Sequence, residues 1–196
     1  FMKRYYEFTN ALKRNVIQIK PNLKYVDIES SLYYSSTYKL PEETVFRIIK
    51  GKNWTDIISN YEYAPALFYI SERIVNFFSL YMDMSNCCHL INFTENISEK
   101  YYKLYNLQHY ELVNPHNFCE KYDEVSYFYL PDDENPPSLF TLTDRNCCIV
   151  DDITFKLMNN QNFSNVYFDE IYSLNKAEYE EWKILHAQHK PLIPRL

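Results

Sequence analysis

The chain has 196 residues, 46% of them hydrophobic and 18% aromatic, with a formal net charge of -6 and a pI near 5.4. That apolar content supplies a core of ordinary globular size and argues against disorder, and the acidic balance lacks the basic footprint of a nucleic-acid-binding protein. A single glycine, Gly51, excludes a phosphate loop, a dinucleotide fingerprint and a kinase-type loop, because each needs glycine where backbone approaches phosphate.

Residues 3–8 and 23–28 read as short strands. Residues 29–43, ESSLYYSSTYKLPEE, form a polar connector rich in Tyr and Ser that ends just past Pro41. TVFRIIKG, residues 44–51, is a strand, and NWTDIISN, residues 53–60, reads as a turn or short helical piece. Together these make a strand-rich N-terminal lobe over residues 1–62. A main domain follows over residues 63–196, or the two form one continuous domain.

Residues 67–70 are an apolar run of strand length, and Ser71 is placed to cap a helix with its hydroxyl. Ile74, Phe77, Phe78 and Tyr81 fall on one helical face, and the helix should end near residues 83–86. Residues 87–93 read as a strand, and residues 101–113 as a strand pair or one long bent strand. VSYFYL, residues 125–130, is rich in β-formers, PDDENPP, residues 131–137, is a loop, and residues 138–143 resume an extended segment.

Residues 147–150 form a strand that runs into a helix capped by Asp151, with Asp152 favourable in its first turn. Ile153 and Leu157 lie one helical turn apart, and residues 159–162 end the helix before a strand at 166–171. Asn175 with Glu178 starts a last helix by a capping-box pattern with Asn in place of Ser or Thr. Trp182 and Leu185 lie on its apolar side, and Pro191 and Pro194 stop it.

Residues 67–93 and 147–171 share one plan: an apolar strand, a Ser or Asp cap followed by an acid, a helix, an Asn-containing turn and a second strand. The low identity leaves duplication and coincidence both open. The expected fold is therefore α+β, a mixed or mostly antiparallel sheet with two strand-helix-strand units and a C-terminal helix.

The repeated Asn-Cys-Cys at residues 86–88 and 146–148 invites a metal or disulfide reading. Adjacent residues on a strand face opposite ways, so such a pair cannot present both sulfurs to one metal, and the Cys-x2-4-Cys spacing of structural zinc sites is absent. Five cysteines would leave one over in a disulfide scheme. Cys119 lies near His116 and Asp123, which would make a nucleophile and base for a small cysteine hydrolase. No glycine there exposes backbone N–H groups for an oxyanion. His186 and His189 lack the glutamate of H-E-x-x-H and suit a helix C-terminus. No cofactor or metal site is expected.

Acidic residues are plentiful, and Asp132, Asp133 and Glu134 stand together in the proline-bounded loop. They are the expected contacts to a basic partner protein. An uninterrupted apolar run of about 18 residues, the length of a membrane helix, is absent. The opening FMKRYYEFTN lacks the apolar centre of a secretory signal, which points to a cytoplasmic protein.

Three blocks carry a family resemblance. ALFYISERIVNFF (66–78), YYKLYNLQHYELVNPHNFCEKYDEV (101–125) and LFTLTDRNCCIVDDITFKLMNNQNFSNVYFDEI (139–171) resemble, in this order, bacterial polymorphic-toxin immunity proteins of immunity family eleven, with family forty-three as a close relative. Asn86 and Asn165 stand where such proteins usually carry a glycine after each helix. Asparagine is the next-best residue for positive φ, so the resemblance still implies the same fold. It further implies a small cytosolic α+β protein, monomeric or a small homo-oligomer, that binds and neutralises a cognate toxin domain. It implies no catalytic residue and transfers no contact residue. A catalytic module built on Cys119 and His116, or a structural adaptor, is the alternative.

Overall fold

The computed structural model describes residues 2–21, 39–61, 68–113, 126–143 and 145–186. Strand β1 (Lys3–Asn10) opens the chain. It is followed by β2 (Gln18–Pro21), β3 (Val45–Lys50), β4 (Ile57–Asn60) and β5 (Phe68–Ser71), which leads into helix α1 (Glu72–Phe78). Then come β6 (Cys88–Leu90), β7 (Asn92–Phe93), β8 (Tyr101–Leu104), β9 (His109–Tyr110), β10 (Ser126–Tyr129) and β11 (Phe140–Leu142). Strand β12 (Arg145–Asp151) runs into α2 (Asp152–Asn160), and β13 (Val166–Leu174) precedes α3 (Lys176–His186). The fold is α+β, with strand predominating. Among the described residues no helix is long and apolar enough to cross a membrane.

The strands form two sheets, ordered β6-β8-β5-β4-β2-β3-β7 and β10-β13-β1-β12-β11-β9. Each curls on itself. In the first, β6 and β7 are halves of one run broken at Ile91, so the two edges of the sheet meet. In the second, residues 111–113 pair with β10: Leu112 bridges Phe128, Val113 N–H donates to Tyr127 O at 2.9 Å, and Tyr129 N–H to Glu111 O at 2.9 Å. Closure removes the exposed edges that an open sheet presents.

The two barrels have the same wiring. Antiparallel pairs β2–β3, β6–β8, β8–β5 and β5–β4 match β9–β10, β13–β1, β1–β12 and β12–β11. Parallel pairs β3–β7 and β4–β2 match β10–β13 and β11–β9. In both, the helix leaves one strand and returns to another with an antiparallel strand between them. That middle strand is β8 in the first barrel and β1, from the start of the chain, in the second. Their sequences align as KYYKLYN (100–106) and RYYEFTN (4–10). Their registers align too: Ile70 faces Tyr102 and Ser71 faces Tyr101, while Val150 faces Tyr6 and Asp151 faces Tyr5. Because β4 pairs with β5, and β1 with β12 and β13, the sheets do not divide the chain at the expected 62/63 boundary.

Alternation along each strand splits the apolar residues between two cores. One face of each wall fills its own barrel. Ile19, Phe46, Ile58, Tyr69 and Tyr101 fill the first, and Tyr5, Phe128, Phe140, Ile149 and Ile171 the second. The other face builds a central core between the barrels from Ile57, Ile70, Leu104, Tyr6, Phe8, Cys148 and Val150. Both helices pack there at matching positions: Ile74, Val75, Phe77 and Phe78 of α1 are buried, and in α2 Thr154 and Met158 are buried while Phe155 and Leu157 are partly so. Burying each such large apolar side chain stabilises the fold by about 1.5–3 kcal/mol.

Several expectations are corrected. Residues 57–60 are strand β4, not a helical piece, and all four are buried. Helix α1 stops at Phe78, so Tyr81 lies beyond it and is half exposed. Helix α2 turns Thr154 and Met158 inward rather than Ile153, which is 68% exposed. Residues 101–113 do not form a hairpin, since β8 belongs to the first barrel and β9 to the second, with Asn106 at φ 52° between them. Asn165 adopts the positive φ of 61° expected of a glycine substitute, whereas Asn86 is not among the positive-φ residues. Gly51, at φ 92°, lies so close to the Val16 carbonyl that a Cβ would sit 2.1 Å from its oxygen. Residues 23–28 lie outside the described residues.

Candidate functional site

The mouths of the two barrels, where strand gives way to helix, are built from the same parts. In each, the last strand residue caps the helix. Ile74 N–H donates to Ser71 Oγ at 3.4 Å, and Thr154 N–H to Asp151 Oδ1 at 2.7 Å. The next residue is an acid paired with a cation from the middle strand, Glu72 with Lys100 at 2.8 Å and Asp152 with Arg4 at 3.6 Å. Arg4 also meets Glu170 at 3.4 Å, and Lys156 pairs with Asp152. Exposed pairs such as these contribute little to stability, about 1 kcal/mol at most, but they set the charge pattern of the rim.

The first mouth is plugged. The Tyr101 hydroxyl donates to the Thr55 carbonyl at 2.5 Å, and the Trp54 ring lies 5.5 Å from Tyr101 and 5.9 Å from Phe93. Asp56 locks the plug in place. Its carboxylate accepts from the Ser71 hydroxyl at 2.9 Å, the Arg73 guanidinium at 3.1 Å, Ser164 N–H at 2.7 Å and the Ser164 hydroxyl at 2.9 Å. Asp56 N–H in turn donates to Ser164 Oγ at 2.8 Å. This buried carboxylate therefore ties the plug to both the first helix cap and the segment that leads into β13.

Among the described residues the second mouth has no such plug. Counting back equally from Ile57 and Leu139, which occupy the same place in the central core, Pro136 stands where Trp54 does and Pro137 where Thr55 does. A cleft of about 520 Å³ lies there, lined by Lys3, Arg4, Tyr5, Asn135, Pro136, Asp151, Asp152 and Ile153. Tyr5 is only 4% exposed, packed edge-on against Phe128 and Phe140, and borders this cleft. Among the described residues its hydroxyl has no hydrogen-bond partner. Burial, and then the charge of Asp151, hold its pKa above the ordinary tyrosine value.

The acidic loop, residues 131–137, runs into this cleft, and its three acids have different surroundings. Asp132 accepts from Lys176 N–H at 3.4 Å at the start of α3. There Asn175 and Glu178 make a reciprocal box, with N–H to carboxylate at 3.0 Å and N–H to amide oxygen at 2.9 Å. Glu134 accepts from the Tyr110 hydroxyl, which burial, followed by that carboxylate, pushes up to about 12. Gln108 donates to the same hydroxyl at 2.7 Å. Asp133 is exposed at the tip. A smaller cleft of about 180 Å³ lies beneath the loop, with Lys3, Asp132, Glu134, Asn175 and Glu178 in its walls. So two of the expected contacts also hold the loop in shape, and the third projects outward.

The cysteines divide unequally. Cys147 points into the second barrel and Cys148 into the central core, the opposite facing a strand requires. Cys87 precedes β6 in a turn, so it and Cys88 both face the central core, contrary to the expectation for a strand pair. Both thiols approach the Met84 carbonyl, at 3.7 and 3.0 Å. Burial pushes Cys87 up to about 11 and raises Cys88 and Cys148 as well, which suppresses the thiolate a nucleophile needs. Among the described residues no group of three His, Cys, Asp or Glu is disposed to hold a metal. His116, Cys119 and His189 lie outside the described residues, and His186 ends α3.

Lys103 and Glu7 occupy the same place on the two middle strands, and both are buried, Lys103 to 2% exposure. Desolvation brings Lys103 down to about 8. Reading single motifs along the chain missed Tyr5, Trp54 and Asp56. The signal was the KYYK and RYYE echo, which marks equivalent strands far apart in the chain. The chain matches no family model, and neither a curated protein nor a solved structure is similar to it.

Proposed function

We propose that the chain is a non-enzymatic cytoplasmic binding protein, an immunity protein that neutralises a cognate bacterial toxin domain by direct contact as a monomer or small homo-oligomer. The observation that carries this reading is the open second mouth beside an acidic loop whose shape is held by Asp132 and Glu134. A preshaped acidic loop beside a cleft of mixed polar and apolar lining suits capture of a basic protein surface, because charge complementarity speeds encounter and a preordered loop loses little entropy on binding. The buried, high-pKa thiols of the central core favour the same reading over nucleophilic chemistry at those positions.

The test is affinity purification from the native host, followed by expression of any captured toxin domain in cells with and without this chain. Survival only in its presence supports the proposal. Equal killing in both, or substrate turnover by the purified chain alone, removes it. Asp133→Lys should slow association with the toxin several-fold, flatten the salt dependence of that rate and leave folding stability unchanged, as stopped-flow and denaturation measurements would report.

A further inference from the structure

We infer that the open mouth of the second barrel receives an aromatic side chain, tryptophan above all, from a segment of the partner protein, with a carbonyl oxygen of that segment accepting the Tyr5 hydroxyl. This rests on the reading of the chain as a protein-binding protein, and it names what the cleft takes.

The molecule supplies its own template. In the first barrel the tyrosine facing the helix cap is covered by Trp54, and the carbonyl of the next residue, Thr55, takes its hydroxyl proton in a 2.5 Å hydrogen bond. In the second, the matching tyrosine stands in the same register against the cap, Tyr5 opposite Asp151 as Tyr101 is opposite Ser71. Its neighbours differ where the plug would lie. Pro136 and Pro137 replace the tryptophan and threonine, and a cleft of about 520 Å³ occupies the space. That volume lies within the range of about 300–1,000 Å³ common to binding pockets. The Tyr5 side chain is 4% exposed and borders the cleft, and its hydroxyl, with no partner among the described residues, can take an acceptor brought into that space.

The charges on the rim favour a peptide over an ion. Arg4 is already shared between Asp152 and Glu170, and Asp151 is committed to capping α2. A free anion or metal would have to break those contacts. The position of Arg73, which grips the Asp56 carboxylate in the first mouth, is taken by exposed Ile153 in the second, and that of Ser71 by Asp151. Two residues after its aromatic side chain the incoming segment therefore carries a neutral or basic residue, not the aspartate that stands there in the internal plug.

The probe is the capped tripeptide Asn-Trp-Thr, the sequence of residues 53–55, titrated into the full chain while the methyl signal of Ile153 is followed by NMR. Saturable shifts are expected, and the alanine control Asn-Ala-Thr should give none. Tyr5→Phe should weaken the tripeptide about three- to tenfold, the loss of one neutral hydrogen bond. Pro136→Trp should abolish binding by filling the cleft from within. If that variant does not fold, the Tyr5→Phe comparison decides. Absence of saturation, equal binding of the alanine control, or tripeptide affinity unaltered by Tyr5→Phe overturns the inference. Failure of the tripeptide with toxin neutralisation intact would sink this docking site and leave the proposed function standing.

Discussion

In the first barrel Trp54 lies on Tyr101 and the Thr55 carbonyl takes the tyrosine hydroxyl, whereas in the second Tyr5 borders a cleft and Pro136 stands in the tryptophan's place. The walls around these two sites match strand for strand. What differs is a few loop residues, which in the first barrel pack onto the core and tie the plug in place. One scaffold thus carries a mouth shut by its own chain and a twin that has no such plug among the described residues.

The largest test of the shared wiring is removal of residues 2–10. In the first barrel the middle strand follows its neighbours in sequence, but in the second it comes from the other end of the chain. Without β1 the second barrel has a gap between β12 and β13, and the central core loses Tyr6 and Phe8. The truncated chain should show no cooperative unfolding transition by circular dichroism. A sharp transition at the parent's midpoint would mean that β1 is not a wall strand.

Next in size is Asp56→Ala. This carboxylate accepts four hydrogen bonds, one of them from half-exposed Arg73, and joins the plug to the other barrel through Ser164. Its loss should cost about 3 kcal/mol by urea denaturation. Among the described residues the open mouth has no carboxylate in the place of Asp56, since Ser138 holds the equivalent position.

Lys103 and Glu7 sharpen the comparison inside the walls. Desolvation lowers Lys103 in the folded state to about 8, below the unfolded lysine value of about 10.4. The folded state therefore releases its proton first, and the burial cost is fully present below pH 8. It fades as pH rises toward about 10. The stability difference between Lys103→Met and the parent should narrow over that window in paired denaturation curves. A difference constant with pH would place the ammonium in water.

Much of this was legible in the sequence where local chemistry decides. Ser71 and Asp151 as caps, the Asn175–Glu178 box and the proline-bounded acidic loop follow from residue type and spacing, and each is found in place. The reading failed where a polar residue is buried by distant partners. Asp56, Ser59 and Asn60 made residues 53–60 look like a turn, yet all three are buried, and Asp56 is satisfied by Ser71, Arg73 and Ser164. It also failed at Ile153, which pattern alone turns inward, because the inward face of α2 is set by where Asp151 caps it. The cleft was invisible for the same reason, since its walls come from β1, the acidic loop and α2, brought together only by closure of the barrel.

The contrast between the two mouths is tested most directly by a pair of single-atom deletions measured side by side. Tyr101→Phe removes a hydroxyl that holds the internal plug and should cost about 1 kcal/mol in urea denaturation. Tyr5→Phe removes one with no partner among the described residues and should change stability by less than about 0.5 kcal/mol. Equal losses from the two substitutions would contradict the account, since the second mouth would then be held shut as the first is.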